Sequence, residues 1–271
     1  MSLLTATRSE TTKQFTTSMW WILALVLVVY VASTAGALGF VIAQAGAGGL
    51  SPDAPAFPED AIPALLYSTA TSVGYVFPLL IGTLMVTTEF RHKTLTPTFL
   101  AVPRRGTVLA AKIATGILIG ALYGAVGIVA AVAPSAGILA AFDIDTALGT
   151  SDTWALLGRM MLAFVLWVFI GIGVGTLVRN QVGAIVGVLV FTQFVEPIVR
   201  TAAAFAEDIE PFTRYLPGAA SDTLVGASVL NVAMPASSDA LEWWAGGLVL
   251  LGYAVVFLVL GALFSWRRDV S

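Results

Sequence analysis

Long runs without a charged side chain alternate with short polar clusters along this chain of 271 residues. No Asp, Glu, Lys or Arg lies between Lys13 and Asp53, between Asp60 and Glu89, or between Lys112 and Asp143. The same holds from Arg159 to Arg179, from Arg179 to Glu196, and from Glu242 to Arg267. An apolar helix of about 20 residues crosses a hydrocarbon core of roughly 30 Å. The gaps therefore predict six spans, near 19–42, 64–87, 112–132, 159–178, 182–199 and 243–265. The fifth lies in the shortest gap and needs residues up to Arg200. The expected fold class is an all-α integral membrane protein, with one transmembrane domain over residues 1–271.

Composition agrees with this reading: 58% of residues are hydrophobic and 11% charged, against soluble averages of roughly half and a quarter. The net charge of −3 matters less than its distribution. One set of flanks carries Arg8, Lys13, Arg91, Lys93, Arg104, Arg105, Lys112, Arg179, Arg267 and Arg268. The other set holds most of the acids and, among bases, only Arg159, Arg200 and Arg214. Basic flanks stay on the cytoplasmic side, so both termini are expected in the cytosol, in a multi-pass protein. Trp20, Trp21, Trp243 and Trp244 stand where interfacial aromatic anchors belong. The apolar run from Met19 to Ile42 is too long for a signal-peptide core and reads as a retained first span. With zero cysteines, disulfide and thiolate chemistry are excluded.

The outer segment 43–63 reads as irregular linker, whereas 200–242 is too apolar for free coil and predicts short helices at, or dipping into, the outer face. Small residues recur at helix-packing spacing: Gly116, Gly120 and Gly124, then Gly171 and Gly175, then Gly183 and Gly187. Such faces let helix backbones approach closely, within one subunit or between two.

Several chemistries are excluded. None of Lys13, Lys93 and Lys112 follows a glycine, so the chain has no phosphate-binding P-loop. Gly171-x-Gly173-x-Gly175 lies inside an apolar helix with no preceding strand, and is not a dinucleotide loop. The lone histidine, His92, excludes multi-histidine metal sites, and no G-x-S-x-G elbow occurs. No catalytic residue, metal site or bound cofactor is expected on this chain, and no nucleic-acid partner.

Five of the thirteen Lys and Arg fall in the charged island Glu89–Lys112, EFRHKTLTPTFLAVPRRGTVLAAK. Within it, Thr96 can cap a short helix with Pro97 at its first position. Pro103 then ends that helix, and Arg104-Arg105 leads into the third span. Phe90, Leu95, Phe99 and Leu100 are available for docking. Read by charge alone, the island is ordinary positive-inside anchoring.

Its residue order adds to this. Glu89, Thr94-Leu95, Pro103-Arg104-Arg105 and Lys112 resemble the signature of the ABC-2 type (type-2 ABC exporter) permease subunits, especially short actinobacterial members. Lys93 stands where many members carry glycine, and Tyr215-Leu216-Pro217-Gly218 is similar to that family's outer segment. The resemblance implies six spans and a cytosolic coupling helix between spans two and three, with Glu89, Phe90, Arg91, Lys93, Thr94, Leu95, Pro103, Arg104 and Arg105 facing a separate ATPase subunit. It further implies two ATPase copies carrying ATP and magnesium, a second permease subunit (identical or different) and a bacterial plasma membrane. The first, second and fifth spans would line the path.

Inside the spans, Glu196 lies four residues after Thr192 and three after Gln193, so the three can share a face that meets substrate. Alternatively Glu196 pairs with Arg200 near the outer surface, and Pro197 bends the helix there. Thr69, Ser72 and Tyr75 form a second polar patch, for the path or for interhelical hydrogen bonds. Two other classes remain beside the exporter subunit: an ATP-independent carrier or channel, and a membrane-bound immunity or scaffold protein. Inverted repeats or several intramembrane charges would favour the carrier, and neither is evident.

Overall fold

The computed structural model describes residues 2–46, 58–102, 104–203, 210–228 and 241–266, and all regular structure among them is helical. Five helices are long and apolar enough to cross a membrane: Met19–Gln44, Arg105–Ala141, Ser151–Leu177, Gln181–Ala203 and Trp243–Phe264. This is the helix content of a multi-pass membrane protein. The outer linker expected at 43–63 falls mostly, and Arg267 and Arg268 entirely, outside the described residues.

In chain order the helices are α1 (Leu3–Thr16), α2 (Met19–Gly46), α3 (Ile62–Tyr67), α4 (Thr69–Ser72), α5 (Val76–Arg91), α6 (Leu95–Ala101), α7 (Arg105–Ala141) and α8 (Ser151–Leu177). There follow α9 (Gln181–Val190), α10 (Glu196–Ala203), α11 (Glu210–Thr213), α12 (Pro217–Val225) and α13 (Trp243–Gly261). The centre is α8, which packs against α5, α7 and α13. Its apolar window is 67% buried, against 17% for α13 and 22% for the α9–α10 helix, so those two stand at the periphery.

Glycine makes the central contacts possible. Gly82 of α5 faces the Val168 carbonyl of α8, and Gly171 of α8 faces the Leu79 carbonyl of α5; a methyl at either would overlap its carbonyl. Gly116, Gly120 and Gly124 similarly bring α7 onto Ile172, Val165 and Met161 of α8. These small faces are therefore used within the chain. Among the described residues the face of α9 is not: Gly187 meets nothing there, and Gly183 meets only Asn180, whose side chain caps the same helix.

The second predicted span, 64–87, is not one helix. It is split into α3, α4 and α5, with a break at residues 73–75. The reason is local. The hydroxyls of Ser68, Thr69 and Thr71 donate to carbonyls three residues back, at 2.7–2.9 Å, in competition with the helical ladder. Pro78 has no N–H to give the Gly74 carbonyl, which accepts from Phe77 instead at 3.1 Å. Six uninterrupted spans are thus corrected to five uninterrupted helices and one broken segment. The third is also longer than expected, at 37 residues, and continues through Pro134. In the fifth, Pro197 cannot donate to Gln193, and the helix widens into a π-helical stretch over Phe191–Val195. Two short helices, α11 and α12, lie among the described residues of the segment before α13, as its apolar character suggests.

Candidate functional site

At one end of the bundle α1 lies against α7 and carries Glu10 and, about one turn on in its last turn, Lys13. The last turn of α5 carries Glu89, and the second turn of α7 carries Lys112. These four side chains form an alternating ring. Glu10 Oε1 accepts from Lys13 Nζ at 2.7 Å, and Glu10 Oε2 accepts from Lys112 Nζ at 2.6 Å. Glu89 Oε1 accepts from Lys13 Nζ at 3.0 Å. Glu89 Oε2 lies 2.9 Å from Lys112 Nζ, an ion pair outside hydrogen-bonding angles. Lys112 is fully buried and also donates to the Met85 carbonyl at 3.1 Å. Two acids and two bases leave the ring neutral, which makes so deep a burial tolerable.

Burial opposes ionisation of Glu10, but the charges and hydrogen bonds of Lys112 and Lys13 outweigh it and hold its carboxyl below the ordinary value. Burial likewise opposes the charge on Lys13, yet Glu89 and Glu10 prevail and raise its ammonium above the ordinary value.

The turn after α5 explains the residues that follow Glu89. Thr94 N–H donates to the Glu89 carbonyl at 3.0 Å and Lys93 N–H to the Phe90 carbonyl at 3.3 Å, a Schellman closure. It requires a left-handed residue, and Lys93 has φ 54°. That is the conformation glycine adopts without strain. Helix α6 then begins at Leu95, one residue before the expected Thr96 cap; Thr94 takes the cap position without a side-chain bond. Leu95 is fully buried, Arg105 stacks over Phe99 at 5.1 Å, and Leu100 is 79% exposed on the free side. Phe90 packs on the core, while Arg91 reaches Gln181 of α9 at 3.4 Å. Arg104 is exposed at the start of α7, and Pro103 lies outside the described residues. A cavity of about 300 Å³ opens between α1, α6 and α7, lined by Ala6, Glu10, Pro97, Ala101, Val102 and Val108 among others.

Sequence reasoning counted Lys13 and Lys112 as positive flanks and passed over Glu10. A signal was present. Glu10 is the only acid before Asp53, and it stands three residues from Lys13 among basic flanks.

A second polar cluster lies at the opposite end. Thr192 and Glu196 point inward, but Gln193 is exposed, so the three do not share a face. The expected Glu196–Arg200 pair is not formed. Arg200 Nη2 instead meets Asp222 Oδ2 of α12 at 2.8 Å. Glu196 Oε1 accepts from Gly218 N at 2.6 Å and Ala219 N at 3.1 Å, the first free amides of α12. Pro217 opens that helix. A Cβ at residue 218 would sit 2.5 Å from Glu196 Oε1, so a side chain there would push the carboxylate off the two amides. The other carboxylate oxygen, Glu196 Oε2, is buried with no hydrogen-bond partner among the described residues.

Of the expected second patch, Ser72 and Tyr75 reach this cluster and Thr69 does not. Ser72 Oγ donates to Asp222 Oδ1 at 3.4 Å, and Tyr75 OH to the Thr192 carbonyl at 3.0 Å. Tyr75 stacks on Trp167 at 4.5 Å, whose Nε1 donates to Ser221 Oγ at 3.1 Å. The Thr69 hydroxyl is taken by the Leu66 carbonyl at 2.7 Å. No group of three or more His, Cys, Asp or Glu suited to a metal ion occurs among the described residues.

No family model matches the chain, and no curated protein is similar to it.

Proposed function

We propose that this chain is the membrane subunit of an ATP-driven ABC exporter, taking its energy from a separate ATPase subunit docked on α6. The observation that carries the reading is the ion ring beside α6. It joins α1, the end of α5 and the start of α7 through Glu10, Lys13, Glu89 and Lys112. The Schellman turn then joins α5 to α6 through only three residues, His92 to Thr94. A force applied to α6 therefore reaches three helices as one body, as a coupling element requires. The exposed Leu100, beside the exposed Thr96 and Pro97, supplies an apolar contact on the free side of α6.

On this reading α6 and both termini face the cytosol, the membrane is the bacterial plasma membrane, and ATP and magnesium sit on the partner. A second permease subunit completes the path. Helices α2, the α3–α5 segment and α9–α10 contribute its walls, with Ser72, Tyr75, Thr192 and Glu196 as polar points.

The test uses the full chain co-expressed with an ABC-type ATPase subunit from the same genome. Wild type should retain the ATPase through purification and show ATP turnover, whereas the chain alone hydrolyses none. Leu100→Glu should weaken retention about tenfold or more while leaving thermal stability unchanged, because the side chain is exposed. Normal retention and turnover in Leu100→Glu would move the docking surface away from α6.

A further inference from the structure

Two carboxylates and one guanidinium, Glu196, Asp222 and Arg200, meet between α10 and α12. With the acids ionised, the trio retains one negative charge. Arg200 is committed to Asp222, and the two α12 amides occupy only Glu196 Oε1. Glu196 is 2% exposed, and its Oε2 has no partner among the described residues. An anion so placed in an apolar bundle is expensive unless a positive group or a proton joins it.

We propose that Glu196 is the recognition point for an amphipathic amine, a primary ammonium carried on an apolar tail. The ammonium supplies the missing N–H donors to Oε2 and neutralises the trio. Tyr75, stacked on Trp167 and bonded to the Thr192 carbonyl one turn before Glu196, adds an aromatic surface suited to a cation. Anionic and neutral amphiphiles lack the group that this carboxylate selects.

The experiment holds the full chain in phosphatidylcholine nanodiscs, without any ATPase, and measures binding by fluorescence. The probe is dansylcadaverine, a primary ammonium on an apolar fluorophore, compared with its uncharged N-acetyl derivative. Wild type should prefer the ammonium about tenfold or more, as expected for one charge-assisted hydrogen bond. In E196Q the preference should vanish. The Gln carbonyl still accepts from Gly218 and Ala219, so α12 stays docked. The variant D152N removes an exposed carboxylate at the start of α8, leaves the Glu196 cluster intact, and should retain the preference. Undiminished preference in E196Q, or its loss in D152N, would overturn the assignment. Equal binding of both probes by wild type would do the same, and would assign a proton to the carboxyl. The exporter reading stands or falls separately, on assembly with the ATPase.

Discussion

Lys112 gives the most direct test of the ion ring. Its side chain is fully buried and touches both Glu10 and Glu89, at 2.6 and 2.9 Å. Lys112→Met keeps most of the aliphatic stem and removes only the charge. Two carboxylates then face each other with Lys13 alone between them, and Lys13 is 43% exposed. Breaking a buried pair from one side costs about 3–5 kcal/mol, chiefly because the partner is left uncompensated. The double variant Lys112→Met/Glu10→Leu removes one charge of each sign and leaves the Lys13–Glu89 pair at 3.0 Å. It should therefore recover at least about 2 kcal/mol relative to Lys112→Met. The assay is reversible unfolding in mixed micelles, followed by circular dichroism, for wild type, both single variants and the double. Lys112→Met within about 1 kcal/mol of wild type would refute the reasoning. So would a double variant whose cost equals the sum of the two singles.

Three further outcomes follow from the same geometry. Lys93→Gly should stabilise the chain by about 1 kcal/mol, because it relieves a left-handed lysine at the Schellman turn; Lys93→Val should destabilise it in the same unfolding assay. The docking of α1 should depend on pH at both extremes, read as limited proteolysis of α1. Glu10 has a folded value depressed below 4.5, so its contribution is present above 4.5 and is lost as pH falls through the folded value. Lys13 has a folded value raised above 10.5, so its contribution is present below 10.5 and is lost as pH rises through the folded value. Cleavage in α1 independent of pH across both windows would show that the ring does not hold it. Finally, Gly171→Val should prevent folding, since its Cβ would overlap the Leu79 carbonyl where α5 crosses α8; recovery of native protein at wild-type yield would contradict that contact.

The long helices were legible because the bilayer imposes a length and an absence of charge that any reader of the chain can count. Five of the six predicted stretches correspond to continuous apolar helices. The failure at 64–87 has a readable cause: Ser68, Thr69, Thr71 and Pro78 each remove or compete for a helical bond, a cost that hydropathy does not register. Helix α1 was missed for the opposite reason. Its sequence, LLTATRSETTKQFT, is rich in threonine and has no marked apolar face. It is held instead by Ser2 at its N-terminus and by tertiary bonds to α7 and α5. Partners 76 and 102 residues apart do not announce themselves in a local pattern. The glycine faces of α7 and α8 were visible as spacings, but which helix each one meets emerged only from the packing.

The two ends of the bundle use buried charge differently, and the difference separates scaffold from chemistry. In the ring, each carboxylate oxygen lies within 3.0 Å of a lysine and the charges cancel, although Glu89 Oε2 meets Lys112 outside hydrogen-bonding angles. That is the condition for holding three helices together without a ligand. In the opposite cluster the count does not close: Arg200 faces two acids, and one oxygen of Glu196 has no donor among the described residues. On the proposed readings, the carboxylate at 196 serves what it can attract, and the neutral ring at the other end serves what it can transmit.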